Sequence, residues 1–131
     1  MEMDGIKGGK VKKVVEKVGK VGGISNPEEL YAVYCFLLTE LYIAGLVSRD
    51  ELKIRRDIKV QGKFRCLMDY ALGFVDGLDG VKRDNTPAYE LGYALARGEK
   101  FYYEDGDCME VFTSIRNMLK DLEEIRQIFQ L

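Results

Sequence analysis

The sequence predicts an all-α protein, a bundle of about five helices with short capped turns. Three observations carry that expectation. Apolar residues recur at spacings of three and four over most of the chain, the period of a helix with one face buried. Helix-start signals, Asn26-Pro27 and Thr86-Pro87, stand directly ahead of two of these runs. Turn glycines, Gly22-Gly23, Gly45 and Gly98, fall where the runs stop. At 131 residues, 47% hydrophobic and 32% charged, the chain is long enough to bury one core without metal or cross-links.

Residues 1–24 read as a basic N-terminal arm ahead of a single helical domain over residues 25–131. Met1 to Gly9 is polar and glycine-rich, so a mobile start is expected. Val11, Val14, Val15, Val18 and Val21 then fall at helical spacing with lysines between them, which predicts a short amphipathic helix closing at Gly22-Gly23. Valine and Gly19 favour helix poorly, and a strand over Val11 to Val15 is the competing reading. Asn26 caps the next helix, Pro27 suits its first position, and Glu29 completes a capping box. From Leu30 to Val47 the chain is apolar almost all round, interrupted by Thr39 and Glu40. Such a helix belongs in a bundle centre, a subunit interface or a membrane. Glu40 near its middle would cost roughly 2.5 to 3.5 kcal/mol in lipid. A homo-oligomer is therefore expected, and no membrane partner.

Gly45 and the residues after it close that helix, and Ser48 with Glu51 forms a second capping box that predicts another helix. The stretch LYIAGLVSRDELKIRRDI resembles the helix-turn-helix of short oligomerisation domains, which implies a tight corner between two helices. Used on DNA, that corner would offer Lys53, Arg55, Arg56 and Lys59. Asp50, Glu51 and Asp57 lie among them, so a solvated charged face is expected. Phe64, Leu67, Met68, Ala71, Leu72, Val75 and Leu78 make one continuous apolar stripe on a third helix. DGLDGVKRDN is a loop by composition, and Thr86-Pro87 starts a helix ending at Gly98. Phe101 to Tyr103 reads as a short extended piece. Asp107 and Glu110 cap the last helix, on which Cys108, Val111, Ile115, Met118, Leu122, Ile125 and Phe129 form a heptad seam.

Composition narrows the chemistry. With no histidine, Ser-His-Asp and Cys-His catalysis and imidazole metal ligation are excluded. Cys35, Cys66 and Cys108 are widely spaced and odd in number, so three reduced core thiols and a reducing, cytoplasmic compartment are expected. Asp76, Asp79, Asp84, Asp105, Asp107 and Glu110 do not follow the calcium-loop order, because Val81 and Arg83 occupy ligand positions; loop solvation is expected of them, with no metal and no cofactor. Many Lys, Glu, Val and Tyr, few Asn and Gln, and no Trp lean toward a thermophilic source. In composition the chain resembles small orphan proteins of hyperthermophilic archaea and their viruses.

The net charge is −2, but it is unevenly placed. Lys7, Lys10, Lys12, Lys13, Lys17 and Lys20 face only Glu2, Asp4 and Glu16 in the first 24 residues, leaving 14 basic and 19 acidic side chains for the remainder. These six lysines are the candidate nucleic-acid contacts. Without interleaved aromatics, they would touch phosphates and stack on no base.

LDGVKRDNTPAYELGYALARGEK, residues 78–100, carries Leu78, Asp79, Gly80, Asp84, Ala88, Tyr89, Glu90, Gly92, Tyr93, Ala94, Ala96 and Gly98 in the order of a known signature. It resembles that of the nucleoside 2-deoxyribosyltransferases. The resemblance implies a parallel α/β sheet, with Asp84 at the sugar and Glu90 as the nucleophile on the anomeric carbon. Because the rest of the chain reads as helix, a non-catalytic interaction or self-association module is the function expected first. Nonspecific nucleic-acid binding and a Glu90 enzyme are the alternatives.

Overall fold

The computed structural model describes residues 5–103 and 106–120, with side chains from Val11 onward. Five α-helices and no strand occur among the described residues: α1 Gly5–Gly22, α2 Pro27–Ile43, α3 Arg65–Asp79, α4 Pro87–Ala96 and α5 Gly106–Lys120. The all-α expectation is met.

Helix α1 begins at Gly5, six residues before the expected valine helix, and no strand forms over Val11 to Val15. Val11, Val14, Val15 and Val18 are buried in the same core as the later helices. Valine is a mediocre helix former, so docking of this face sustains the helix, as tertiary packing generally does.

Helix α2 is central. The Asn26 side chain accepts a hydrogen bond from the Glu29 N–H at 3.0 Å, so the expected cap forms. Ala32, Val33, Cys35, Phe36, Leu37, Leu38 and Leu41 are buried, and the buried Thr39 hydroxyl donates to the Cys35 carbonyl at 2.9 Å. One chain therefore covers most of a helix whose apolar circumference had suggested a subunit interface. The helix stops at Ile43 because Gly45 takes a left-handed φ of 79°. Gly45 N–H then bonds to the Tyr42 carbonyl at 2.9 Å and Leu46 N–H to that of Leu41 at 2.8 Å, which satisfies the last open carbonyls.

The helix expected after Ser48 does not form. Its capping box does: Ser48 N–H donates to Glu51 at 2.7 Å, and Glu51 N–H to the Ser48 hydroxyl at 3.3 Å. The chain makes a single turn there and then runs irregularly to a short 3-10 turn at Gly62–Phe64. The reason lies in the apolar spacing. Leu52 and Ile54, then Ile58 and Val60, recur every second residue, and those four turn inward while the charged residues between them face solvent. The corner implied by the helix-turn-helix resemblance is absent.

Helices α3 and α4 pack without intervening side chains. Gly73 and Gly77 lie against the α4 backbone at Tyr89 and Tyr93, and Gly92 lies against the α3 backbone at Tyr70 and Phe74. The contacts Asp69 to Thr86, Gly73 to Tyr89 and Gly77 to Tyr93 show that α4 runs in the same general sense as α3. The loop of residues 80–86 returns between them.

Helix α5 buries Cys108, Val111, Phe112, Ile115 and Leu119, the described part of its seam. The expected positions Leu122, Ile125 and Phe129 lie outside the described residues. Phe112 stacks on Phe36 of α2 at 5.7 Å and meets Tyr70 of α3 at 5.3 Å, so three helices join at one aromatic cluster. The cysteines depart from expectation. Cys66 and Cys108 form a disulfide between the first turns of α3 and α5, with Cα atoms 5.7 Å apart, and only Cys35 is a free thiol. A separation of 42 residues in sequence does not reveal which helix ends meet in space.

Candidate binding surfaces

Glu90 and Asp84 stand on or beside the first turn of α4. The Lys82 ammonium is 2.6 Å from the Glu90 carboxylate, which holds it in an ion pair on the helix surface. Asp84 is exposed in the preceding loop and accepts from the Asn85 N–H at 2.7 Å. The segment ahead of Asp79 is helix α3, and the parallel sheet implied by the deoxyribosyltransferase resemblance is absent among the described residues. Gly92, Ala88 and Ala94 of that signature are buried, Gly92 directly against α3.

The polar cluster that the structure builds is centred instead on Asp76, for which the sequence suggested only loop solvation. Asp76 is 1% exposed. It pairs with Arg56 from the irregular segment and sits 3.6 Å from Arg83 of the α3–α4 loop. The Tyr89 hydroxyl donates to it at 2.5 Å and accepts from the Arg83 N–H at 2.8 Å. Burial first, then Asp76, pushes the Tyr89 phenol up to about 12. One carboxylate thus fastens two loops and α4 to the end of α3. A buried charge met by three donors is a structural clasp, since few of its lone pairs remain for a ligand.

Glu40 is partly buried and is engaged by Arg116 of α5 at 3.1 Å and the Tyr70 hydroxyl at 3.3 Å. The same guanidinium lies 5.3 Å from the Phe36 ring. Burial also pushes the Cys35 thiol up to about 12, which leaves it a poor nucleophile. Among the described residues no group of three or more acidic or sulfur side chains converges as a metal site.

Two features remain at the surface. The first is the lysine face of α1. Lys12, Lys13, Lys17 and Lys20 are all exposed, opposite the buried valines. The side chains of Lys7 and Lys10 lie outside the described residues. The second is apolar and was not legible in the sequence. Of the seven exposed large hydrophobic residues among the described ones, Val21, Leu95 and Met109 line hollows where α4, Tyr103 and α5 meet the end of α1. Met109 is shared by two hollows. One, of about 250 Å³, also includes Leu95 and Tyr103; the other, of about 720 Å³, includes Val21 and Met118. Phe101 and Tyr102 adjoin Tyr103, and Tyr102 is 91% exposed. No described helix is long and apolar enough to cross a membrane. Comparison with protein-family models, with characterised proteins and with solved structures finds no match.

Proposed function

We propose that this chain is a non-catalytic helical interaction module that self-associates through the apolar patch around Met109. The observation that carries the reading is that exposed Val21, Leu95 and Met109 line two adjoining hollows that share Met109, with exposed Phe101 and Tyr102 next in sequence to Tyr103 on the rim. Contiguous apolar surface of this kind marks interaction sites, whereas isolated exposed apolar residues do not. Its charged border supports a second copy as the partner. Glu110 lines the larger hollow and Arg116 the smaller. A twofold axis through the patch would set each against its opposite charge. The Lys- and Glu-rich composition supports a thermophilic source; the disulfide removes the reduced-thiol argument for a cytoplasmic location and is compatible with one only in such a source, where intracellular disulfides persist.

Sedimentation velocity over a wide concentration range tests this. The wild type is expected to shift to a larger species as concentration rises, and Tyr102→Glu with Met109→Glu to stay monomeric with unchanged helical circular dichroism. A wild type that remains a strict monomer at the highest concentration overturns the proposal.

A further inference from the structure

The basic charge of this molecule is handled in two ways. Every arginine among the described residues has a carboxylate within ion-pair distance. The lysines are mostly unpaired: Lys82 meets Glu90, but among the described residues Lys53, Lys59, Lys63, Lys100 and Lys120 have no carboxylate within ion-pair distance. Among the described residues no carboxylate lies within ion-pair reach of Lys12, Lys13 or Lys20, and Glu16 is the one acidic residue on that helix. What distinguishes α1 is that Lys12, Lys13 and Lys20 share one exposed face of a helix whose opposite face is fixed in the core by Val11, Val14 and Val18, each 0% exposed.

We propose that this face of α1 binds the phosphate backbone of nucleic acid. From Lys12 to Lys20 the face runs about 12 Å at 1.5 Å per residue. That covers roughly three base steps of a strand at about 3.4 Å each. The ammonium groups are point charges with three donors apiece, suited to phosphate oxygens and indifferent to base identity. The exposed positions carry no aromatic, amide or guanidinium group, so neither stacking nor bidentate base readout accompanies the contact. Asp107 and Glu110 outnumber Lys63 in the groove beside Gly22 and make it unfavourable for phosphate, which bounds the footprint at the C-terminal end of α1. An acidic protein surface would satisfy the same lysines less well, because its carboxylates are not spaced as a continuous polyanion.

The test uses the full chain and fluorescence anisotropy with labelled duplex DNA, single-stranded DNA and single-stranded RNA. Phosphatidylserine vesicles form a separate arm. Binding to duplex DNA is expected to weaken roughly fortyfold between about 50 mM and about 200 mM salt, the counterion-release behaviour of about three phosphate contacts. Sequence changes should leave it within about twofold, since phosphate contacts carry no base information. Deleting α1 would strip valines from the core, so charge reversal is the informative variant. Lys12→Glu with Lys13→Glu and Lys20→Glu should retain its circular dichroism and lose binding by more than about tenfold, given the charges removed. Lys53→Glu with Lys59→Glu, on the irregular segment, should bind as the wild type does. The proposal is overturned if the wild type binds no nucleic acid at low salt, if the α1 variant binds equally well, or if only the vesicles are bound.

Discussion

At Gly73 an added Cβ would meet the carbonyl of Tyr89, and at Gly92 that of Tyr70, both far inside contact distance. A backbone cannot rotate aside as a side chain can. Gly73→Ala is therefore expected to cost about 3 kcal/mol, the upper range for overpacking, read as a lowered denaturation midpoint. An unchanged midpoint would mean that α4 is free to shift on α3. The neighbouring Tyr89 makes a pH prediction. Its phenol is raised from 10.0 to about 12 in the folded chain. A raised folded-state pKa stabilises the fold fully below pH 10 and loses that contribution as pH climbs toward about 12. Tyr89→Phe should thus be less stable than wild type at neutral pH by about 1 to 2 kcal/mol, because Asp76 loses a donor. The gap should close in alkali. Denaturant unfolding at a series of pH values tracks it, and a constant gap would place the alkaline sensitivity on other tyrosines, of which Tyr31 is also raised to about 12, chiefly by burial.

Among the elements, α5 is held in two ways: by the aromatic stack of Phe112 and by the disulfide to α3. Closing a loop of 42 residues removes denatured-state freedom worth about 4 kcal/mol in the chain-entropy account. Adding reductant is expected to lower the thermal midpoint while Phe112 keeps α5 docked. Cys66→Ser with Cys108→Ser should match reduced wild type and ignore reductant, and a wild type equally indifferent to reductant would show that the bond contributes nothing. The elements also show what sequence can reveal. Helices α2 and α4 were legible because their start signals, Asn26-Pro27 and Thr86-Pro87, are local chemistry. The segment after Ser48 misleads for the same reason. Its capping box is real, but one turn satisfies it, and the alternation of Leu52 with Ile54 and of Ile58 with Val60 sets the irregular path of the chain beyond that turn. Asp76 and the cysteine pair were illegible because their partners come from remote segments, Arg56 for one and the far end of the chain for the other.

For the molecule as a whole, the same distinction separates the two surface features. The lysine face of α1 arises from helical spacing within one segment, so the sequence sufficed to name Lys12, Lys13, Lys17 and Lys20. The patch around Met109 draws on α1, α4, Tyr103 and α5, and exists only once these are packed. The close glycine contact of α3 with α4 bears on the order in which the molecule assembles. These helices are neighbours in sequence, joined by a seven-residue loop, so their docking closes little chain and can come early. Helices α1 and α5 lie at opposite ends of the chain, and their contact must await everything between them. Native-state hydrogen exchange should accordingly find the slowest amides along residues 70–77 and 89–93, with the contact of α1 on α5 opening before them. On that order the lysine-bearing helix can part from α5 while the glycine-packed pair stays closed.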